Sequence, residues 1–188
     1  TPTQPQHCLN STRGKSMGGS ELTGKTIGLF GFGHIAKRVV ELLKPFSCTI
    51  LVCNRTQDEA EAKSYGITFA SKERILEVAD IISIHLPLTP QSKNLFSRAE
   101  FEAMRSSAFI INTARGGIID EEALKVALKT GQIAGAGLEA FAQEPVQDWE
   151  LIDLPNLMCL PHVGGNSKES ILAMGYASIA HLKEFFKV

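Results

Sequence analysis

The sequence predicts an α/β fold, a doubly wound and mainly parallel sheet with helices on both faces. Three observations predict it. Strand-like apolar runs alternate with helical repeats from Thr26 onward, as in successive β-α units. The runs are apolar on both parities, for example Ile81-Ile82 and Ile110-Ile111, which suits strands covered on both faces. The first run ends in Gly31-Phe32-Gly33 and passes straight into a helical repeat at Ile35, Val39, Leu42 and Leu43.

Taken in order, residues 1–20 read as a linker or lead-in, with Pro, Gln, Ser, Thr and Gly and only scattered apolar residues. A dinucleotide-binding domain is expected over 21–188. Because its first strand starts only near Thr26, the chain reads as a fragment, or as one that has lost an upstream domain. Strands are expected at Thr26–Phe30, Thr49–Cys53, Ile67–Phe69, Ile81–Ile84, Ala108–Asn112, Ile133–Leu138 and Leu157–Cys159. Helices are expected at Ile35–Leu43, Gln57–Tyr65, Lys72–Glu77, Arg98–Met104, Glu121–Thr130 and Lys168–Phe186. Lys44-Pro45 should end the first helix, and Gly66 and Gly131 stand where helix C-caps belong. No internal repeat or low-complexity tract interrupts this order.

Composition narrows the function. The 188 residues suffice for one domain with a sizeable core. A net charge of −1 provides no global basic field for nucleic acid. No apolar stretch is long enough to span a bilayer, and no secretory signal pattern is present. The cysteines at 8, 48, 53 and 159 form no Cys-x-x-Cys. Cys48 and Cys53 flank one strand at odd spacing and would point to opposite faces, which disfavours a bridge. Reduced, buried thiols and a cytoplasmic setting are expected, with no metal site.

The glycine turn carries the first functional expectation. Gly31 can make a sharp turn, Gly33 would let a pyrophosphate approach the backbone, and Ala36 lets helix and strand pack closely. The helix N-terminus then offers free N–H groups and a positive dipole end to an anion. In this strand-turn-helix context, Gly-x-Gly-x-x-Ala points to a Rossmann-type dinucleotide site. An acid about 20 residues further on usually binds the adenosine ribose hydroxyls. Here the second strand ends in Cys53-Asn54-Arg55-Thr56, with no acid at its tip. Arg55 would attract a 2′-phosphate, with Asn54 and Thr56 as hydrogen-bond donors, so the reading leans to NADP over NAD.

Three later residues fall beyond strand ends, on the edge that the glycine turn occupies. Arg115 lies in Asn112-Thr113-Ala114-Arg115-Gly116-Gly117, Glu144 precedes Pro145, and His162 follows Pro161. Singly, each has an ordinary explanation as surface charge, loop solvation or structural histidine. Jointly they suit hydride transfer to a 2-oxo acid. An arginine can hold the carboxylate and polarise the ketone. A histidine can exchange the hydroxyl proton near neutrality, and a carboxylate on its far nitrogen fixes the tautomer.

Four stretches carry a resemblance: HLPLTP (His85–Pro90), INTARGGIIDEEAL (Ile111–Leu124), GAGLEAFAQEP (Gly135–Pro145) and LPHVGGNS (Leu160–Ser167). From about Leu22 to the last helix the chain resembles the D-isomer-specific 2-hydroxyacid dehydrogenases, which include phosphoglycerate, glyoxylate/hydroxypyruvate and D-lactate dehydrogenases. The resemblance implies Arg115 as substrate-binding arginine, His162 as acid/base and Glu144 as its partner. It implies that His34 and Ile35 meet the pyrophosphate, beside Gly31 and Gly33 of the turn, and that Asn54 and Arg55, with Thr56 next to them, meet the adenosine end. Leu86, Thr113, Ala114 and Glu139 would border the adenosine and nicotinamide parts, with Gly165 near the ring, and Pro87, Arg115 and His162 complete the expected cofactor-binding set. A small 2-oxo or 2-hydroxy acid is the implied substrate, and a homodimer is the implied parent assembly.

The chain departs from the family pattern at three points. Glu139 stands where members commonly have Asp, Asn54 replaces the acid of NAD-preferring members, and the upstream substrate domain is absent. Poor turnover by the isolated chain is therefore expected. Three other readings share parts of this pattern. A dinucleotide-sensing corepressor without turnover is the main alternative. A 3-hydroxyacid dehydrogenase would need a catalytic lysine. A methyltransferase using S-adenosylmethionine would want an acid at position 54 and would leave Arg115, Glu144 and His162 idle.

Overall fold

A computed structural model describes residues 19–187; all but the last two residues of the lead-in, Cys8 included, lie outside the described residues. Seven parallel strands form one sheet in the order β3-β2-β1-β4-β5-β6-β7. They are β1 (Thr26–Phe30), β2 (Thr49–Cys53), β3 (Thr68–Phe69), β4 (Ile81–Ile84), β5 (Phe109–Asn112), β6 (Gly135–Leu138) and β7 (Leu157–Cys159). The helices are α1 (His34–Leu43), α2 (Glu59–Tyr65), α3 (Lys72–Val78), α4 (Arg98–Ala103), α5 (Glu121–Thr130), α6 (Trp149–Ile152) and α7 (Lys168–Phe186). The doubly wound α/β expectation therefore holds.

Strand order reverses at β1. The chain first builds outward through β2 and β3, then crosses back to place β4 on the other side of β1. Such a reversal leaves a crevice beyond the carboxyl ends of the two central strands. Alternate residues of β1 serve different cores. Ile27 and Leu29 pack with Ala36, Val40, Ile50 and Val52, whereas Phe30 packs with Ile75, Ile82, Ile84 and Phe96. Burial on both sides is what the unalternating apolar runs required.

Most element bounds agree with the sequence reading to within two residues. Gly66 and Gly131 are left-handed C-caps of α2 and α5. Two short elements were not expected. Lys44–Phe46 form a 3-10 turn that prolongs α1 past Lys44, with Pro45 at a position where it needs no N–H. Helix α6 is four residues long, too short for a period to show, and is started by the Asp148 carboxylate accepting from the Leu151 N–H. Helix α7 has no buried residue, and its Ile171, Leu172, Met174, Ile179 and Leu182 are all exposed.

Candidate active site

The glycine turn is built by backbone contacts. Gly31 donates its N–H to Cys53 O at 2.9 Å, and His85 donates to Phe30 O at 2.8 Å. Gly31 has φ +94°, and a Cβ there would lie 2.6 Å from His85 O. Both the left-handed conformation and the close approach demand glycine. Gly33 is different. It has extended backbone and caps α1 with no side-chain hydrogen bond, and no atom of the protein comes within 4 Å of where a Cβ would sit. The first turn of α1 holds no acidic residue, so its free N–H groups and dipole end face an open space suited to an anion.

That space is a cleft of about 650 Å³ lined by Gly33–Ala36, His85–Leu88 and Thr113–Arg115, within the size range of cofactor sites. The structure thus brings Gly33, His34, Ile35, Leu86, Pro87, Thr113, Ala114 and Arg115 together, with Gly31 buried beneath them. Ile35 is 69% exposed, an apolar side chain at the mouth of the cleft. The Leu86–Leu88 wall is fixed by Ser92, whose hydroxyl donates to Pro87 O at 2.7 Å and accepts from the Thr89 N–H at 2.8 Å. His85 is half-buried, its Nε2 is 3.0 Å from Ser83 Oγ, and burial pushes its imidazole below the ordinary histidine value.

Arg115 is placed by Asn112, which the sequence reading did not single out. Asn112 is 1% exposed. Its Nδ2 donates to Arg115 O at 2.9 Å, and its Oδ1 accepts from the Ala114 N–H at 3.1 Å. One buried amide thus closes the 112–115 turn at both ends and satisfies its own polar atoms. An Asx-type residue at a strand end followed by a short polar turn was the available signal.

The next loop, between β6 and β7, carries Glu144. Both of its carboxylate oxygens lie 3.0 Å from His162 Nδ1, and Oε1 also accepts from the Phe141 N–H at 3.0 Å. The Phe141 N–H, then the His162 hydrogen bond and the charges of His162 and Arg115, hold the Glu144 carboxyl below the usual carboxylate range. The peptide bond between Glu144 and Pro145 is cis. His162 sits beyond β7 with φ +53°, and its Nε2 makes no hydrogen bond among the described residues. The imidazole therefore has one nitrogen oriented by a carboxylate and one left for a ligand.

Loop meets loop at Gly116. A Cβ there would lie 1.9 Å from Phe141 O and 2.0 Å from Phe141 C, so the Arg115 turn and the Glu144 loop touch backbone to backbone. Gly116→Ala is expected to cost about 1–3 kcal/mol of stability, lowering Tm by roughly 2–10 °C. Thermal unfolding checks this, and an unchanged Tm contradicts it.

Two expected contacts are arranged differently. Asn54 Nδ2 donates to Thr56 O at 2.7 Å, so that donor closes its own turn. Arg55 remains exposed beside it. The three residues lie at the β2 tip and do not line the cleft itself. Glu139 is 8% exposed and its Oε1 accepts from the Gly164 N–H at 2.5 Å; the longer side chain reaches the loop after β7. Gly165 follows on that loop, with open space around it. Cys48 and Cys53 are free, half-buried thiols. No helix among the described residues is long and apolar enough to cross a membrane.

Comparison with known proteins agrees with this geometry. The family model "D-isomer specific 2-hydroxyacid dehydrogenase, NAD binding domain" matches residues 4–164. A D-3-phosphoglycerate dehydrogenase of Bacillus subtilis is 38% identical over 169 residues, covering 90% of this chain and 32% of the relative. A glyoxylate reductase structure from Paecilomyes thermophila superposes with a TM-score of 0.85 at 32% identity, covering 90% of this chain and 52% of that one. An NAD-complexed D-isomer specific 2-hydroxyacid dehydrogenase from Lactobacillus delbrueckii ssp. bulgaricus gives 0.79 at 29% identity, covering 89% and 55%. The chain spans between 29% and 51% of the length of such curated relatives. By the family match over most of its length, this chain belongs to the D-isomer-specific 2-hydroxyacid dehydrogenases and comprises their NAD-binding domain.

Proposed function

We propose that this domain serves an oxidoreductase that moves a hydride between a nicotinamide dinucleotide and the α-carbon of a small 2-oxo or D-2-hydroxy acid. The observation that carries the proposal is the Glu144–His162 pair, oriented at 3.0 Å on the sheet edge that also holds Arg115 and the cleft. The residues present fit a dinucleotide. The α1 N-terminus has no side-chain cap, and space stands open at Gly33. When bound, the nicotinamide supplies or accepts the hydride.

The chain's own residues do the rest. The Arg115 guanidinium pairs with the substrate carboxylate and draws charge from the neighbouring carbonyl. In reduction, His162 Nε2 gives its proton to the carbonyl oxygen; in oxidation the neutral ring takes the hydroxyl proton. Glu144 keeps Nδ1 protonated and steadies the imidazolium. Because Glu144 is held below the usual range, it stays ionised throughout the neutral region. D-3-phosphoglycerate dehydrogenases and glyoxylate reductases among the relatives support a small acid substrate, and their names do not favour the corepressor reading. A homodimeric parent belongs to the same proposal.

The cofactor preference proposed is NADP. With no acid at the β2 tip and Arg55 exposed there, a 2′-phosphate meets attraction and no repulsion. NADPH is expected to bind more tightly than NADH. Arg55→Ala should weaken NADPH about 5–20-fold, the value of an exposed charge-assisted contact after screening, and leave NADH nearly unchanged. Nicotinamide fluorescence titration reads both, and equal or NADH-favoured binding by the unsubstituted chain contradicts the preference.

A further inference from the structure

The loop that carries Glu144 is tied to α5 at two points. Glu121, the first residue of α5, accepts the Ala142 N–H on Oε1 at 2.6 Å. Lys125, four residues on, donates from Nζ to Asp148 Oδ2 at 2.7 Å and to Glu122 Oε1 at 2.9 Å. Residues four apart share one face of a helix, so a single face of α5 holds both ends of the 142–148 segment. The helix is itself well fixed. Asp120 accepts from the Glu122 and Ala123 N–H groups at its start, and Gly131 closes its end.

The two amides at the near end are consecutive. Phe141 N–H goes to Glu144 and Ala142 N–H goes to Glu121. First-turn acids of a helix ordinarily need do no more than complement its N-terminus. Glu121 instead reaches a loop 21 residues away and accepts part burial, which raises its carboxyl above the ordinary range, assisted by the charges of Asp148, Glu122 and Asp120 and opposed by the Ala142 hydrogen bond.

We propose that Glu121 is a positioning residue for the Glu144–His162 pair: by fixing the Ala142 amide it aims the adjacent Phe141 N–H at Glu144, and so sets the carboxylate that faces His162. This rests on the acid/base reading of that pair given above. The Lys125–Asp148 ion pair anchors the far end of the same loop.

Carboxyl-carbon NMR titration of the 188-residue chain tests it. In the unsubstituted chain the Glu144 midpoint is expected below the ordinary glutamate range, where the Phe141 N–H, His162 and Arg115 hold it. Glu121→Ala should raise that midpoint part of the way toward the ordinary range, by the share that the Phe141 N–H supplies. Glu121→Gln, whose amide oxygen can still accept from Ala142, should keep it at the original position. A midpoint unmoved in Glu121→Ala, or moved as far in Glu121→Gln, overturns the proposal. If Glu121→Ala does not fold, the unsubstituted chain decides. Its Ala142 amide resonance should follow the Glu121 carboxyl, with a midpoint above the ordinary range, and an Ala142 amide that ignores that titration overturns the proposal. NADH titration of the same samples separates the layers. Absent NADH binding with a shifted Glu144 overturns the cofactor reading, whereas normal NADH binding with an unmoved Glu144 overturns the positioning role.

Discussion

Replacing His162 with alanine is expected to lower kcat for 2-oxo-acid reduction by about 10²–10⁴-fold, the usual worth of a positioned proton donor. The NADH Kd should stay within about threefold, because the lost group acts on the transition state more than on the ground state. Structure supports this separation. The cleft is lined by residues from the β1, β4 and β5 ends, whereas His162, expected among the cofactor-binding residues, lies beyond β7 and does not line it. Its Nδ1 is committed to Glu144, so only Nε2 can reach a substrate oxygen. Removing the imidazole leaves Glu144 with the Phe141 N–H, and the loop keeps that anchor. Stopped-flow measurement of NADH oxidation reads kcat directly. A kcat within tenfold of the unsubstituted value, or an equal loss of NADH affinity, would remove His162 from the acid/base role.

The second large effect is expected at Gly33. An added Cβ there meets no protein atom within 4 Å, and the extended backbone at this residue suits a β-branched side chain such as valine. Stability should therefore fall by no more than about 1 kcal/mol, the cost of a poorer N-cap. The ligand, by contrast, needs that volume. A branched side chain standing over the α1 N-terminus keeps the pyrophosphate from the free N–H groups, each charge-assisted hydrogen bond being worth about 1.5–3 kcal/mol. NADH affinity should fall about 10–100-fold with Tm lowered by no more than about 4 °C. Thermal unfolding beside fluorescence titration reads both. A fall in Tm with affinity preserved would mean that glycine serves the fold at 33 and not the ligand.

Much of this molecule was legible in its residues because the relevant interactions are local. The Gly31 turn, the apolar runs of a doubly covered sheet and the C-caps at Gly66 and Gly131 are all short-range features that tertiary packing did not overrule. The placement of Arg115, Glu144 and His162 on one edge followed from parallel topology alone. What stayed hidden depends on distance along the chain. Gly116 reads as half of a Gly-Gly turn, and nothing near it announces the Phe141 carbonyl against which it packs. Glu121 and Lys125 read as an ordinary charged helix face, and their partners lie 21 and 23 residues away. Asn112 was not singled out, because its two hydrogen bonds within the Arg115 turn show only once the turn is built. Glu139 was expected at the nicotinamide; its reach to the Gly164 N–H comes from one extra methylene.

The account turns on the crevice beyond β1 and β4 being a dinucleotide cradle. Amide chemical-shift mapping during an NADH titration of the 188-residue chain tests it most directly. Saturable shifts are predicted to be largest at Gly33–Ala36, with a second group at Leu86 and Leu88 and a third at Thr113–Arg115, the three segments that line the cleft. Shifts that do not saturate, or that map instead to the groove between α4 and α5 around Phe101, Val126 and Thr130, would contradict it.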